Sequence, residues 1–391
     1  MRKLFGVRHA ARATLVIIIA AHGASAQTIE WAQDLGAGWS ALAAGRGAEA
    51  EKHADAILRT APRNHDATAL KIAARVSTGN VNGSLDAYEQ WLGAGQREDA
   101  FLLERIAIGI VTAAAGSKDR TVRARALEIL TAMGNVEART QLAALTEQPG
   151  STRVDTALAR KGDATAIARL VSRIKDPASR DVSDAIDALR EADAKNAAAV
   201  IAAALDPTRP MPTKIAAARA LGELGSAAEI PRLRTALQDP DPPVRVVAAV
   251  SLMRLGDQSG AEIVQSLENS PVGDYRLLAV EARAASEPTG PWVGVATKVL
   301  DDPDPLVRLR AAELLVRHAA DPGKATDVLR GALADSNPAM RQAAVDRLSA
   351  MPITFLERDL PTLRKLLRDG FVPARLEAAA AVLRISGALA Q

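Results

Sequence analysis

The chain has 391 residues, with 49 lysine and arginine residues against 46 aspartate and glutamate residues and a formal net charge of +3. It contains no cysteine, which excludes disulfide bonds and thiol chemistry. A globular chain of this length would form roughly two or three domains, but a repeat with intervals of about 29 to 34 residues overrides that estimate.

Residues 1–26 have the features of a secretory signal peptide. Four basic residues accompany a short apolar stretch at 15–21, and the small residues at 24–26 fit a cleavage site that would leave Gln27 as the new N-terminus. The alternative is an uncleaved membrane anchor, although the apolar stretch is much shorter than the roughly 20 residues of a spanning helix. We expect cleavage, with no stable membrane insertion afterwards. A composition rich in alanine, and in arginine over lysine, resembles that of high-GC bacteria and favours a periplasmic or secreted protein of a Gram-negative bacterium.

Cleavage would also change the charge balance. The signal peptide carries Arg2, Lys3, Arg8 and Arg12 and no acidic residue, so its removal leaves 45 basic against 46 acidic residues. The mature protein is therefore close to neutral, and its net charge gives no support for nucleic-acid binding.

Residues 32–98 contain a regular internal repeat. Equivalent positions are held by Gly45 and Gly79, by Ala50 and Ser84, and by Leu58 and Leu92. Glycine permits a tight turn between two helices, and Pro62 ends the helix before it. Two helices per ~34 residues resemble the tetratricopeptide arrangement. The second copy departs from it by having Gln96 in place of Pro62, and the alternative is a generic pair of helical hairpins.

Four aromatic residues lie in this region. Trp31 and Trp39 are eight residues apart and could share a helical face, either to contact a partner or to cover the open end of the first hairpin. We favour the covering role. Tyr88 and Trp91 are expected in the core.

A second repeat begins at about residue 117. Its turns follow an apolar residue that recurs once per repeat: Leu145, Ile174, Leu205, Leu237, Leu267, Leu300, Leu333 and Leu367. Asp-Pro or Asn-Pro turns, as at Asp239 and Pro240, end one helix and cap the next. Repeats of this length predict stacked pairs of helices.

The helix after each turn opens with an apolar or aromatic residue and an arginine. The pairs are Val122-Arg123, Val244-Arg245, Tyr275-Arg276, Val307-Arg308 and Met340-Arg341. One helical stripe contains Val244, Ala248, Leu252 and Leu255, and Gly256 ends that helix as Gly225 ends the one before. Eight or more copies of this unit resemble HEAT repeats, in particular the short type also found in bilin-lyase-like proteins.

The two resemblances together imply an all-α fold. We expect a right-handed α–α superhelix, or solenoid, of HEAT-like repeats at 101–391, preceded by a short tetratricopeptide-like array at 27–100 and the signal peptide at 1–26. The final helix, at about 373–389, has no helix after it and is expected to cap the end of the solenoid.

An aspartate stands six residues before the arginine in several repeats: Asp239 and Arg245, Asp302 and Arg308, Asp335 and Arg341, Asp369 and Arg375. The arginines could form a row that binds anionic ligands. The alternative, which the constant aspartate favours, is that each arginine is held by the aspartate of its own or the next repeat and fixes the repeat geometry. Such partly exposed pairs contribute about 1 kcal/mol or less each.

Two stretches interrupt the regular pattern. Residues 192–196 are polar, and residues 207–212 contain three prolines. A longer loop is predicted at 286–292, where Trp292 could contact a partner or fill a packing gap; we favour the packing role.

No catalytic, cofactor-binding or metal-binding residue is predicted. The mature chain has three histidines, His53, His65 and His318, none of them at a metal-ligand spacing, and no phosphate-binding or nucleophile motif is present. The shared repeat type with bilin lyases does not imply their chemistry.

The sequence therefore predicts an exported, non-catalytic scaffold or adaptor. A protein partner would bind the concave face, in the groove made by the second helix of each repeat, with the N-terminal array available for a peptide-like segment. The alternatives are a structural spacer of the cell envelope, or an envelope enzyme or its accessory subunit. The identity of the partner and the oligomeric state stay open.

Overall fold

The computed structural model describes residues 26–146, 152–160, 162–176, 178–286, 290–318, 323–349 and 351–389, and every regular element in these ranges is a helix. The predicted all-α class is therefore confirmed for the described residues. The predicted signal peptide lies outside them, except for Ala26. The chain forms two compact units, unit 1 (Met1–Ile129 with Pro352–Gln391) and unit 2 (Leu130–Met351). The boundary predicted at residues 100 and 101 concerns the type of repeat and stays a prediction.

Unit 1 begins with five helices joined by short turns. They are α1 (Ala26–Ala43), α2 (Gly47–Thr60), α3 (His65–Ser77), α4 (Val81–Gly93) and α5 (Ala100–Ala115). Gly45 and Gly79, the predicted turn residues, both have φ of +79°, a conformation that favours glycine. Asn64, Asn80 and Asp99 cap the helices that follow them by accepting backbone N–H groups.

Residues that the repeat makes equivalent have the same degree of burial, as Leu58 and Leu92 do. Ile57 and Trp91, separated by the same interval as Gly45 and Gly79, are buried, whereas Leu58 and Leu92 are half-buried. A helix turns by about 100° per residue, so neighbouring residues cannot occupy the same face. The burial predicted for Tyr88 and Trp91 is confirmed.

Trp39 has the covering role that the sequence favours. Its ring packs against a core cluster that includes Ala50, Ala54 and Leu70, and the guanidinium of Arg105 lies 5.0 Å from its ring centroid. The aromatic face therefore stabilises a positive charge within the same unit.

The next helix, α6 (Arg120–Ala132), leads from unit 1 into unit 2. Unit 2 then contains α7 (Val136–Thr146), α8 (Thr152–Ala159), α9 (Ala164–Lys175), α10 (Val182–Glu191), α11 (Ala198–Ala203), α12 (Met211–Glu223), α13 (Ile230–Ala236), α14 (Pro242–Arg254), α15 (Ala261–Leu267), α16 (Gly273–Ser286), α17 (Trp292–Val299), α18 (Pro305–His318), α19 (Gly323–Leu333) and α20 (Pro338–Ser349). The polar stretch predicted at 192–196 forms a turn with Asp193 at φ of +49° and the start of a 3₁₀ turn, Lys195–Ala197.

Helices of two kinds alternate in unit 2. The helices that open after the Asp-Pro turns pack directly on one another from repeat to repeat. We call them the Val-Arg row, which consists of α10, α12, α14, α16, α18 and α20. The intervening helices α11, α13, α15, α17 and α19 pack mainly on this row. Unit 2 is thus a linear stack in which each repeat contacts its neighbours, as in other repeat proteins.

The predicted stripe on α14 forms part of the core. Val244, Ala248 and Leu252 have no exposed surface, and Leu255 is half-buried at the end of the helix. All residues of α14 from 246 to 253 are buried, so this helix is covered on every side. Gly225 and Gly256, at φ of +70° and +79°, end their helices as predicted.

The chain returns to unit 1 in its last segment. This segment contains α21 (Ile353–Arg358), α22 (Leu360–Leu366) and α23 (Val372–Ile385). The final helix was predicted to cap the end of the solenoid because no helix follows it, but α23 packs on α5 of unit 1. Most of α23 is buried, including the run from Leu376 to Leu383.

Candidate functional site

The turns between the two helices of a repeat share one hydrogen-bonded structure wherever they contain the recurring aspartate. In each of them a carboxylate accepts the backbone N–H two residues further on: Asp176, Asp206, Asp239, Asp302, Asp335 and Asp369. This is an Asx turn, in which the side chain replaces a backbone acceptor. Aspartate recurs at these turns because its short side chain can bond locally before the next helix begins.

The arginine six residues later binds this turn through its backbone. Nη1 of Arg245, Arg308 and Arg341 donates to the carbonyl oxygens of Asp239, Asp302 and Asp335, at 2.7 Å in each case. In a fourth repeat, Arg276 donates to the carbonyl oxygen of Ser270 at 2.6 Å. These arginines close the turns, which agrees with the structural role favoured from the sequence. The acceptor is the main chain rather than the predicted carboxylate.

Carboxylates of the following repeat are used at two junctions. Arg276 Nη2 donates to Asp302 Oδ2 at 2.6 Å, and Lys214, at the equivalent position two repeats earlier, donates to Asp239 and Asp241 at 2.8 to 3.0 Å. Lys214 is buried, with 2% of its side chain exposed. The hydrogen bond to Asp239 raises the pKa of Lys214. Burial opposes ionisation of Asp239, but the bonds from Lys214 and from the Asp241 N–H outweigh it and lower its pKa.

A second set of charges links neighbouring helices through side chains further along them. We call it the ion-pair ladder: Arg160 with Glu191, Arg190 with Glu223, Glu223 with Arg254, Arg254 with Glu281, and Glu281 with Arg310. Their N–O distances are 2.5 to 3.2 Å. Arg190 and Arg310 also pair with Asp187 and Asp274, so the carboxylates around the ladder outnumber its arginines and leave no surplus positive charge for an anionic ligand. From Arg190 onward the ladder joins consecutive helices of the Val-Arg row.

The ladder defines a face of the Val-Arg row, which we call the ladder face. Ala285 holds the position in α16 that Glu223 and Arg254 hold in α12 and α14. Each of the three stands nine residues after the basic residue of its helix, which is Lys214, Arg245 or Arg276. Ala285 is exposed, so this face reaches solvent at α16. It is the surface of unit 2 where several repeats present side chains in register.

Exposed apolar residues occur at the turns that open the Val-Arg helices. In unit 2, Met211, Val272 and Leu306 are 40%, 48% and 47% exposed. These three residues were not predicted from the sequence. Each stands two to four residues before Lys214, Arg276 or Arg308, and this position could have identified them. They add apolar contact area at one edge of the row.

Trp292 and the histidines considered in the sequence pack or bond to neighbouring side chains. Trp292 is 2% exposed and lies edge-on to His318, with 6.1 Å between ring centroids, so it fills the core beside the irregular loop. His53 bonds to Asp34 at 2.9 Å, and His65 bonds to Asp99 at 3.0 Å. Within the part of the chain that the structure describes, no three His, Asp or Glu side chains form a group that could hold a metal ion. In the same residues no helix is long and apolar enough to cross a membrane.

Comparison with protein families finds HEAT repeats at residues 199–284 and 295–384. The predicted HEAT repeats are therefore confirmed in these two ranges. Comparison with curated protein sequences finds no significant match. Among solved structures, the complex of CpcE and CpcF of phycocyanin lyase from Nostoc sp. PCC7120 is similar at 19% identity, over 74% of this chain and 96% of that chain, with a TM-score of 0.31. Similarity at this level carries no argument about function.

Proposed function

We propose that this protein is an exported, non-catalytic scaffold that binds another protein along the ladder face of its HEAT repeats. The observation that carries the proposal is the direct packing of consecutive Val-Arg helices, which places side chains from at least five repeats on one continuous surface. In a curved stack the helices that contact one another most closely lie on the inner side. We therefore assign the Val-Arg row to the concave face of the predicted right-handed superhelix, where repeat proteins bind extended partners.

The ladder supports a role in presenting a rigid surface. Its side chains are partly buried and paired across repeats, so they lose little further freedom when a partner binds. Export by a cleaved signal peptide and a tetratricopeptide-like character of residues 27–100 belong to the same proposal. The first rests on the pattern of residues 1–26 and the second on the regular period of the N-terminal helices.

Partner binding is best tested by site-specific crosslinking, since the chain has no cysteine of its own. A photoreactive maleimide is attached to Ala285→Cys on the ladder face or, as the matched control, to Gln265→Cys, an exposed position on α15. We expect a discrete protein adduct in intact cells from Ala285→Cys and none from Gln265→Cys. Equal adducts from both positions, or adducts from neither, would contradict the proposed face.

Export has a separate test. The mass of the protein recovered from a periplasmic fraction of a Gram-negative host should correspond to a chain that begins at Gln27. If the protein is recovered from the membrane fraction and still carries residues 1–26, this segment is an uncleaved anchor.

A further inference from the structure

The face that α4 and α5 present in unit 1 is covered by the C-terminal end of the same chain. Helix α5 is apolar on most sides, with seven buried residues that include Leu103, Ile106 and Val111. It packs on α3 and also on α23, which lies near the other end of the sequence. A helix that is apolar on nearly all sides must be shielded from water by other helices, and α3 and α23 do this for α5.

Three arginines fasten this segment to the N-terminal helices. Arg364 donates to Glu98 and to Glu89, both at 3.0 Å, and Arg368 donates to Asp86 at 2.5 Å and to Glu89 at 3.1 Å. Four carboxylate contacts from two arginines form a compact charged cluster. Arg364 lies in α22, and Arg368 lies four residues later in the turn that follows this helix.

The third arginine binds from the other direction. Arg125 donates through Nε and Nη2 to the two oxygens of Glu377, at 2.7 and 2.5 Å. Glu377 lies in the middle of α23 and its side chain is 5% exposed. Burial opposes the charge on Arg125, but the bonds to Glu377 and the nearby Glu128 raise its pKa overall. This bidentate pair fixes the register of α23 on the N-terminal helices.

The cluster reaches the core of the N-terminal helices through a tyrosine. The hydroxyl of Tyr88 donates to Glu98 at 2.8 Å and accepts the Asp99 N–H at 2.7 Å. Burial raises the pKa of Tyr88, so it acts here as a neutral donor. Glu98 therefore joins Arg364 of the C-terminal segment to a buried residue of α4.

We propose that α4 and α5 form a helix-binding face, that residues 352–389 occupy it as an internal ligand, and that a partner helix with two basic residues four positions apart displaces them. The partner chemistry follows from Asp86, Glu89 and Glu98, whose carboxylates together receive the guanidinium groups of Arg364 and Arg368, two residues four positions apart at the C-terminal end of α22. This deepens the proposed function, because it assigns a second binding face to the scaffold and a closed state in which that face is blocked.

Release of the internal ligand can be followed by hydrogen exchange on the full-length chain. The variant R364E/R368E replaces attraction by repulsion at the cluster. We expect faster exchange in α23 and in α5 together, by about tenfold or more, with α14 of unit 2 unchanged. Arg317→Glu, which breaks an exposed pair with Glu313 in unit 2, is the matched control.

Raising the salt concentration from about 0.1 M to about 1 M, where the Debye length falls from about 10 Å to about 3 Å, should also speed exchange in α23 and α5 of the wild type. Faster exchange in α23 with α5 unchanged would overturn the covering role.

The binding face itself is tested with a peptide of residues 352–389 that carries a fluorophore. Its fluorescence anisotropy should report binding to the full-length R364E/R368E variant at least tenfold tighter than to the wild type, whose face is occupied. The same peptide with Arg364→Glu and Arg368→Glu should not bind. If the first peptide fails to bind a variant that exchange has shown to be open, the helix-binding face is rejected. That result would leave the ladder face of unit 2 untouched, since crosslinking from Ala285→Cys tests it independently.

Discussion

At the scale of single residues, the arginines and carboxylates of this protein mostly hold repeats together. The sequence identified the positions correctly, because aspartate and arginine recur six residues apart. Arg245, Arg308 and Arg341 donate to the backbone carbonyl of their own turn. Arg276 donates in addition to an aspartate carboxylate of the next repeat. The sequence interpretation passed over Lys214, which stands where other repeats have arginine and makes the most deeply buried ion pair of unit 2 among the described residues. Nothing in the sequence distinguishes a buried lysine from an exposed one.

Lys214→Met should destabilise the protein by about 3–5 kcal/mol, because Asp239 would stay buried without its cation. The measurement is urea denaturation followed by circular dichroism. Lys324→Met is the control, since Lys324 and Asp301 form an exposed pair and its loss should cost about 1 kcal/mol or less. Equal effects of the two substitutions would show that the Lys214 pair contributes no more than a surface pair.

Asp257 should contribute a pH-dependent term to stability. The hydrogen bonds from Arg234, together with those from the Ser259 side chain and N–H, lower the pKa of Asp257 to about 2. A carboxylate with a depressed pKa stabilises the folded state above the unfolded pKa of about 3.9, and this term is lost as pH falls through about 2. The free energy of unfolding of Asp257→Asn should therefore lie below that of the wild type at pH 7 and approach it between about pH 4 and pH 2. A constant difference over that range would exclude the proposed ionisation.

At the scale of helices, close approach within the Val-Arg row depends on small side chains. A Cβ atom on Gly222 of α12 would lie 2.6 Å from Ser251 Cβ and 2.8 Å from Ser251 Cα on α14. Ser251 also donates to the Ala218 carbonyl at 2.8 Å, across the same two helices. The period of the repeat predicted the two helices, but their separation depends on which small residues face each other, and no local pattern encodes that pairing.

Gly222→Ala should cost about 1–3 kcal/mol, because the added methyl group meets backbone as well as side-chain atoms of α14. Gly331→Ala in α19 is the matched control: nothing lies within 4 Å of its Cβ position, so the higher helix propensity of alanine should stabilise by about 0.5–1 kcal/mol. Thermal unfolding of both variants gives the comparison. The packing argument fails if both substitutions shift the melting temperature upward.

At the scale of the whole molecule, the two units differ in how their contacts relate to the sequence. Unit 2 follows the chain, so its core could be predicted from the stripe of Val244, Ala248 and Leu252. Unit 1 joins residues near both ends of the chain, and the sequence interpretation treated α23 as a terminal cap because no helix follows it. Its true neighbour, α5, is recognisable only as an unusually apolar helix. The stacking of consecutive repeats can be recognised from a local sequence pattern, whereas no local pattern indicates that α23 packs on α5.

Leu252→Asp should open more than its own helix. Leu252 has no exposed surface, and its repeat shares burial with the repeats on both sides. We expect a loss greater than the ~2–5 kcal/mol typical of Leu→Ala, and faster hydrogen exchange in α12, α14 and α16 together. Val272→Asp, at an exposed position, should leave exchange in these helices unchanged. Loss of protection confined to α14 would mean that the repeats open one at a time.

The sequence by itself determined the helical class, the period of the repeats, the glycine turns at Gly45 and Gly79, and the positions of the aspartates and arginines at the turns. These features depend on backbone conformation and on contacts within about ten residues, which a local pattern can encode. Only the tertiary structure decided that Ile57 rather than Leu58 enters the core, that α14 is buried on every side, and that Arg364 and Arg368 bind carboxylates of α4. Each of these depends on which distant surfaces meet, and the free energy of that choice comes from burial and charge pairing summed over both partners.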